Sequence, residues 1–207
     1  MKKLQIKNNF VLAPLALFVS CVDPDPLSLE GLYIEGGRYV DSTTSEPLTG
    51  PAVRMSSNNP SQVEMEVNLL NGFLHGPYTI FDPELYYVAG PLRTDRGALV
   101  IEDSMYEVGN FDQGVKSGAV TIYHGDGNVF RSVTYLDDMW HGPFREYRKN
   151  GELTMQANFE EDKMHGNFET YWLNDEILRK GAYNHGERCG IWLDYGNNNQ
   201  YEPCPKF

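Results

Sequence analysis

A glycine returns every 24 residues through the C-terminal half of this chain. Each of these glycines is followed two residues later by an apolar side chain and five residues later by a tyrosine. The glycines are Gly118, Gly142, Gly166 and Gly190, and the tyrosines are Tyr123, Tyr147, Tyr171 and Tyr195. A fixed period of this length is typical of an array of small supersecondary units that pack on their neighbours. The period therefore constrains the fold more than any local motif does.

One unit of the period reads as two strands separated by tight turns. Residues 143–147 have the aromatic content of a strand, and residues 152–159 read as the return strand. Asn150-Gly151 between them predicts a hairpin with a type I′ turn, which needs positive φ at both central residues. Glu161-Asp162 then predicts the second turn of the unit. The corresponding first turns are predicted at Asp126-Gly127, Asn174-Asp175 and Asn198-Asn199.

These units predict an all-β fold, an elongated antiparallel meander of repeated β-hairpins. No stretch of the mature chain has a sustained helical period with capping residues. We therefore expect essentially no helix, and we interpret the recurring glycines and aspartates as turn residues.

A second pattern overlaps the first. An aromatic or apolar residue is followed by Gly or Asp after three residues, by His, Ser or Cys after six, and then by Gly; one example is Tyr135, Asp138, His141 and Gly142. Together with residues 141–147, this pattern resembles the MORN repeat family. It is most similar to a bacterial variant found in proteins labelled as antitoxin components of toxin–antitoxin systems. The resemblance covers residues 111–201, is looser over 69–81, and departs from the family where Ser117 and Cys189 replace the usual histidine.

The first 30 residues indicate export. Residues 1–20 combine three lysines with a ten-residue apolar run, which is too short to cross a bilayer and is typical of a signal peptide. Residues 18–21 resemble a bacterial lipobox, which implies that Cys21 becomes a lipidated N-terminus and that residues 21–30 form a tether. Val22 after the cysteine implies the outer membrane, so we expect a lipoprotein of the bacterial cell envelope facing the periplasm or the cell surface.

The remaining chain divides into two parts. Residues 31–68 are predicted to hold degenerate N-terminal capping repeats, and residues 69–207 the MORN-like array, with regular 24-residue units over 117–207. The spacing between Gly76 and Gly118 is 42 residues, and Gly97 lies midway. This interval predicts two shortened units.

The cysteines are consistent with an oxidising compartment. If Cys21 carries lipid, Cys189 and Cys204 remain as an even pair and a candidate disulfide. Pairing around Asn198-Asn199 would place Cys204 nearer Leu193 than Cys189, so a bridge requires a bend in the chain. Two free thiols are the alternative.

The charge of the chain excludes some partners. The formal net charge is −12, and removal of the three N-terminal lysines changes it to −15. An acidic protein lacks the basic surface that attracts nucleic acids or anionic lipid headgroups. We therefore expect a protein partner, membrane attachment only through a lipid at Cys21, and no nucleic acid.

The sequence predicts no metal, no cofactor and no catalytic residue. His75, His141 and His165 recur in the repeat, with His124 and His185 nearby. Equivalent positions in successive hairpins are two strands apart, about 9–10 Å, which is too far for them to share one zinc ion. The acidic pairs fall in predicted turns, and no nucleophile motif or phosphate-binding loop is present.

Six aromatic residues form the candidate binding surface. They are Phe144, Tyr147, Phe168, Tyr171, Trp192 and Tyr195. Exposed aromatic rows suit recognition, whereas a packing layer is the favoured interpretation because every unit needs a buried face. The leading hypothesis is a non-enzymatic exported lipoprotein whose repeat scaffold mediates protein–protein or envelope interactions. The alternatives are an antitoxin- or immunity-type neutraliser of a toxin, an envelope enzyme, and a glycan-binding module.

Overall fold

The computed structural model describes residues 25–57, 59–81 and 105–207. All regular structure in these ranges is β-strand, arranged as a long antiparallel meander, so the predicted fold class is confirmed. The predictions for residues 1–20, Cys21 and the shortened units around Gly97 lie outside the described residues.

The described chain contains 17 strands. They are β1 (Leu27–Ser28), β2 (Tyr33–Glu35), β3 (Arg38–Val40), β4 (Gly50–Met55), β5 (Val63–Leu70), β6 (Phe73–Leu74), β7 (Gly76–Ile80), β8 (Tyr106–Asp112), β9 (Val115–Lys116), β10 (Gly118–Tyr123), β11 (Val129–Leu136), β12 (Met139–Tyr147), β13 (Leu153–Glu160), β14 (Lys163–Tyr171), β15 (Ile177–Asn184), β16 (Glu187–Asp194) and β17 (Asn197–Gln200). Fifteen of these strands form one sheet. From β4 onward neighbouring strands are antiparallel, β1 pairs with β4 in parallel, and β2 and β3 form a separate hairpin.

Five-residue loops connect the hairpins along one edge of the sheet, which we call the loop edge. They span 124–128, 148–152 and 172–176. In the second loop, Gly151 N–H donates to Arg148 O (2.8 Å), and φ is positive at Gly151 (85°) but not at Asn150. The prediction of a type I′ turn at Asn150-Gly151 is therefore wrong. The loop is a type I turn followed by a left-handed residue, which displaces the register after Glu146.

Two-residue turns lie along the opposite edge, the turn edge, and both residues of each have positive φ. They are Asn71-Gly72, Gln113-Gly114, Asp137-Asp138, Glu161-Asp162 and His185-Gly186. The acidic pairs therefore lie in turns, as predicted, and they also join neighbouring hairpins. Asp162 donates its N–H to Trp140 O (3.0 Å) and accepts the Trp140 N–H on Oδ1 (2.7 Å). Asp138 makes the same two bonds to Lys116.

The glycines of the 24-residue period lie in or at the start of strands and not in turns, so the turn interpretation is wrong for them. Gly142 is inside β12 with φ of 91°, and Gly166 and Gly190 have equivalent positions in β14 and β16. Phe144 pairs with Val133, whereas Trp140 pairs with Tyr135. Three residues of β12 therefore face one residue of β11 in a bulge, and glycine supplies its positive φ.

The core alternates large and small residues at the same period. One column, Val120, Phe144, Phe168 and Trp192, increases in size along the chain, and the column beside it, Val133, Ala157 and Gly181, decreases in size. Cross-strand pairing places Phe144 between Val133 and Ala157, and Phe168 between Ala157 and Gly181. A Cβ atom added at Gly181 would lie 2.3 Å from the Trp192 ring. The largest side chain thus packs against a residue that has none.

A paired charge is buried between the two halves of the sheet. Glu107 is 3% exposed and accepts hydrogen bonds from Lys116 Nζ (2.6 Å) and from the Tyr78 hydroxyl. The Lys116 ammonium also lies over the Tyr78 and Tyr135 rings, 5.5 and 5.4 Å from their centres. The ion pair and the hydroxyl provide the partners that a buried carboxylate requires.

The turn predicted at Asn198-Asn199 is wrong, because both residues belong to β17 and the turn is Tyr195-Gly196. Ile191 therefore pairs with Gln200, and Gly190 N–H donates to Glu202 O (2.7 Å). This register carries Cys204 past Leu193 to Cys189. The two cysteines form a disulfide with Cα atoms 4.9 Å apart.

Candidate functional site

The structure separates the six aromatic residues into buried and accessible groups. Phe144, Phe168 and Trp192 are buried in the core and cannot contact a partner in this conformation. Tyr147 and Tyr171 are half-buried, and Tyr195 is 47% exposed. A contact surface formed by all six residues is therefore ruled out by this packing, and the first three serve the sheet itself.

A different apolar surface surrounds Tyr195 at the C-terminal end of the loop edge. We call it the loop-edge patch, and it consists of Trp172, Leu173, Ile177 and Tyr195. Their exposed fractions are 48%, 77%, 38% and 47%. Isolated exposed apolar residues are ordinary on a protein surface, but a contiguous group that contains Trp and Tyr is typical of an interaction surface.

The repeat provides an internal comparison for this patch. The first two residues of the five-residue loops are His124-Gly125 and Arg148-Lys149 in the earlier units, and Trp172-Leu173 in the last one. All three loops have the same hydrogen bond between their end residues, as in Trp172 N–H to Glu176 O (2.8 Å). The loop conformation therefore does not require apolar residues at these two positions.

The patch is held by its neighbours. The Trp172 and Tyr195 rings are 6.2 Å apart with an edge-to-face tilt, and Tyr195 N–H donates to Leu178 O (3.0 Å). The Arg179 guanidinium lies 4.9 Å from the Tyr195 ring centre and donates to its hydroxyl (2.7 Å). Ring and guanidinium are therefore positioned before any partner arrives, which lowers the entropic cost of binding.

A polar network adjoins the patch. Glu169 accepts hydrogen bonds from the Tyr171 hydroxyl (2.5 Å) and the Gln156 amide (2.5 Å), and pairs with Lys180 Nζ (2.8 Å). Burial, together with the hydrogen bond to Glu169, raises the pKa of Tyr171 to about 12. Burial raises the pKa of Glu169, but the hydrogen bonds of Lys180, Tyr171 and Gln156 outweigh it and hold this pKa below its ordinary value. Glu169 therefore remains charged and Tyr171 neutral at physiological pH.

This arrangement suits non-covalent recognition. Trp, Tyr and Arg are the residues that most often dominate the binding energy of protein interfaces, and a polar rim limits water access to them. Sequence reasoning identified Tyr195 but missed Trp172, Leu173 and Ile177. The signal was available in the change from polar to apolar residues between equivalent loop positions.

A second group of functional side chains lies on the turn edge. Glu160, His165 and His185 bring one ligand atom each within 4.8 Å of one another. The sequence argument against a metal compared histidines at equivalent positions, such as His141 and His165. His185 is a turn residue and does not occupy that repeat position.

Across the described ranges of the chain, the structure contains no helix with the length and apolar character needed to span a membrane.

A comparison with protein-family models found no match, and a comparison with curated proteins found none either.

Proposed function

We propose that this protein is a non-enzymatic, exported lipoprotein whose repeat sheet binds a protein partner through the loop-edge patch. The observation that carries the proposal is the replacement of polar loop residues by Trp172-Leu173 in one unit of an otherwise regular array. The exposed apolar area there has no role in the loop conformation, since equivalent loops form without it. Burial against another protein gives this exposed apolar area a role.

The charge and the N-terminus complete the proposal. A net charge of −12 favours solubility of a long sheet and disfavours nucleic acid as the partner. The lipobox-like residues 18–21 support attachment of the array to the outer membrane through a lipid at Cys21. The predicted tether of residues 21–30 is then shorter at its C-terminal end: residues 21–26 link the membrane to β1, because Leu27 and Ser28 pair with β4 and Leu29 is buried in the core.

The binding proposal is tested by exchanging one loop for another. The variant Trp172→Arg/Leu173→Lys carries the residues of the preceding loop, so its backbone should be retained. Proteins of the cell envelope are crosslinked to the full chain in cells, and the amount of each captured partner is compared between variants. We expect at least about a tenfold loss of the specific partner, as the removal of a Trp hot spot predicts.

Arg145→Ala is the matched control, because Arg145 is exposed on β12 away from the patch. Capture that is unchanged in the exchange variant with an intact circular dichroism spectrum would reject the patch as the binding surface. A captured protein whose toxicity is neutralised by the chain would assign the complex to the immunity type.

The anchor is tested separately. Globomycin should block processing of the wild-type chain, and a Cys21→Ala variant should lose both processing and palmitate labelling. Labelled Cys21→Ala protein, or processing that ignores globomycin, would remove lipidation from the proposal.

A further inference from the structure

Three side chains with metal-binding atoms converge beside the last two-residue turn of the turn edge. Glu160 Oε2 lies 3.5 Å from His165 Nε2 and 3.8 Å from His185 Nδ1. The centres of the His165 and His185 imidazole rings are 4.5 Å apart. Glu160 and His165 are partly buried and His185 is exposed, so the group is accessible to a small ion from solvent.

The fold brings these residues together through the contact between successive hairpins. Each two-residue turn lies against the bulge of the preceding hairpin, and Gly186 N–H donates to Met164 O (2.8 Å) at this point. The first turn residue, His185, therefore lies over the bulge residue His165. The same turn position holds Asn71, Gln113, Asp137 and Glu161 in the other turns. Histidine at this position is thus a departure from the repeat and is not needed for the turn.

We propose that Glu160, His165 and His185 bind a divalent transition-metal ion, with zinc as the best match. Two imidazole nitrogens and one carboxylate oxygen are ligands that zinc accepts, with bonds of about 2.0–2.2 Å. Tetrahedral geometry with such bonds places ligand atoms about 3.3–3.5 Å apart. The distances of 3.5 and 3.8 Å to Glu160 are within a few tenths of an ångström of this range, and the two imidazole nitrogens lie within 4.8 Å of each other, so rotation of the side chains is needed to bring all three atoms to bonding distance of one ion.

Metal binding changes the tautomer of His165. Its Nδ1 accepts a long hydrogen bond of 3.4 Å from the His185 backbone N–H, which leaves the proton on Nε2 facing Glu160. The ion takes the Nε2 lone pair, and the single proton of the neutral ring is then on Nδ1, which no longer accepts this hydrogen bond. The hydrogen bond that is lost is at the weak end of the distance range, so its loss opposes binding only slightly.

The surroundings favour a site with one open coordination position. Glu160 and His165 line an open groove of about 370 Å³ together with His141, Phe159 and Phe207. The Phe207 ring lies edge-on to His165, with centres 4.9 Å apart. Three protein ligands leave the fourth position to water or to a group supplied from the groove.

The test is a zinc titration of the purified full-length chain after removal of metals, in competition with a chromophoric chelator. We expect saturable binding of one zinc per chain. His165→Gln and His185→Asn should each weaken binding by at least about tenfold, since each removes a direct ligand and the loss of an outer-shell partner alone costs about 10–100-fold. Asn is chosen at position 185 because it tolerates the positive φ of 48° found there.

His141→Gln is the control, because His141 lines the groove but does not belong to the three-residue group. It should bind zinc as the wild type does, and X-ray absorption of the loaded protein should show only nitrogen and oxygen ligands. The proposal is overturned by wild-type protein that does not bind zinc stoichiometrically, or by sulfur ligation. Equal weakening in His141→Gln, or full binding by a folded His165→Gln/His185→Asn double variant, would also overturn it. None of these results depends on the loop-edge patch.

Discussion

At the scale of single residues, one aspartate can serve the turn and the array together. Asp162 adopts φ of 64°, which asparagine, aspartate and glycine tolerate best. From that position its carboxylate accepts the Trp140 N–H at 2.7 Å, and its own N–H returns a bond to the Trp140 carbonyl. The carboxylate therefore links two hairpins, which explains why an acidic residue can occupy a turn where glycine would be less strained.

This double role predicts opposite behaviour for two substitutions at position 162. Asp162→Gly relieves the backbone but removes the acceptor, and we expect the free energy of unfolding to fall by about 1–2 kcal/mol. Asp162→Asn keeps an acceptor oxygen and the tolerance for positive φ, so its loss should be clearly smaller. Urea unfolding at equilibrium measures both. A glycine variant as stable as the wild type would show that the carboxylate contributes nothing.

Gly181 is needed for a different reason: the Trp192 ring leaves no room for a side chain there, whereas the φ of Gly181 does not require glycine. An added Cβ would lie 2.3 Å from the Trp192 ring, so Gly181→Ala should lower stability by about 1–3 kcal/mol through overpacking. The preceding unit has Ala157 and Phe168 at the equivalent positions. Adding Trp192→Phe to Gly181→Ala should therefore recover part of the loss, and thermal unfolding of both single variants and the double variant measures this coupling. Strictly additive losses would mean that the two positions do not compensate each other.

At the scale of elements, the strand arrangement could be predicted and several local conformations could not. The period of 24 and the alternation of turn residues were sufficient for hairpins, since both are properties of sequence spacing. The assignment of the type I′ turn failed because Asn150-Gly151 also fits a type I turn followed by a left-handed glycine. The turn of the last hairpin was predicted at the wrong residues because Tyr195 adopts a positive φ, which is uncommon for a tyrosine.

The candidate sites were less predictable because they depend on contacts between non-equivalent positions. His165 and His185 are 20 residues apart, and no comparison of repeat columns pairs them. Their approach follows from the way a turn lies over the preceding bulge, which the structure alone reveals. The loop-edge patch is different, because an alignment of the three loops against one another would have identified Trp172-Leu173.

The pairing of β8 with β9 places the buried charge and predicts an asymmetric response to mutation. Lys116→Met removes the cation from the buried Glu107 and leaves the Tyr78 hydroxyl as its hydrogen-bond partner among the described residues, so we expect a loss of about 3–5 kcal/mol. Glu107→Gln/Lys116→Met removes both charges and should cost less than Lys116→Met alone. Denaturant unfolding of the two single variants and the double variant gives the coupling. A double variant that is less stable than Lys116→Met would contradict an uncompensated charge as the cause.

At the scale of the whole molecule, the meander makes stability a local property. In the described C-terminal half, each strand from β11 through β17 pairs only with its neighbours in the chain. Arrays of this kind gain stability from interfaces between adjacent units, and their ends fray first. The strand β17 is exposed at the end of the sheet, and the disulfide between Cys189 and Cys204 ties the residues after it back to β16.

Removal of the disulfide should therefore loosen one end and leave the other unchanged. The bridge closes a separation of 15 residues, for which loop entropy predicts a contribution of about 3 kcal/mol. In a Cys189→Ser/Cys204→Ser variant, we expect faster amide hydrogen exchange in β16 and β17, a smaller increase in β15, and none in β4 and β5. The hydrogen-bonded contact of Gly190 with Glu202 lies inside the closed loop and should be among the first to exchange. Exchange that rises equally along the chain would instead mean that the sheet unfolds as one cooperative unit, because only then can a constraint at β16 stabilise strands it does not contact.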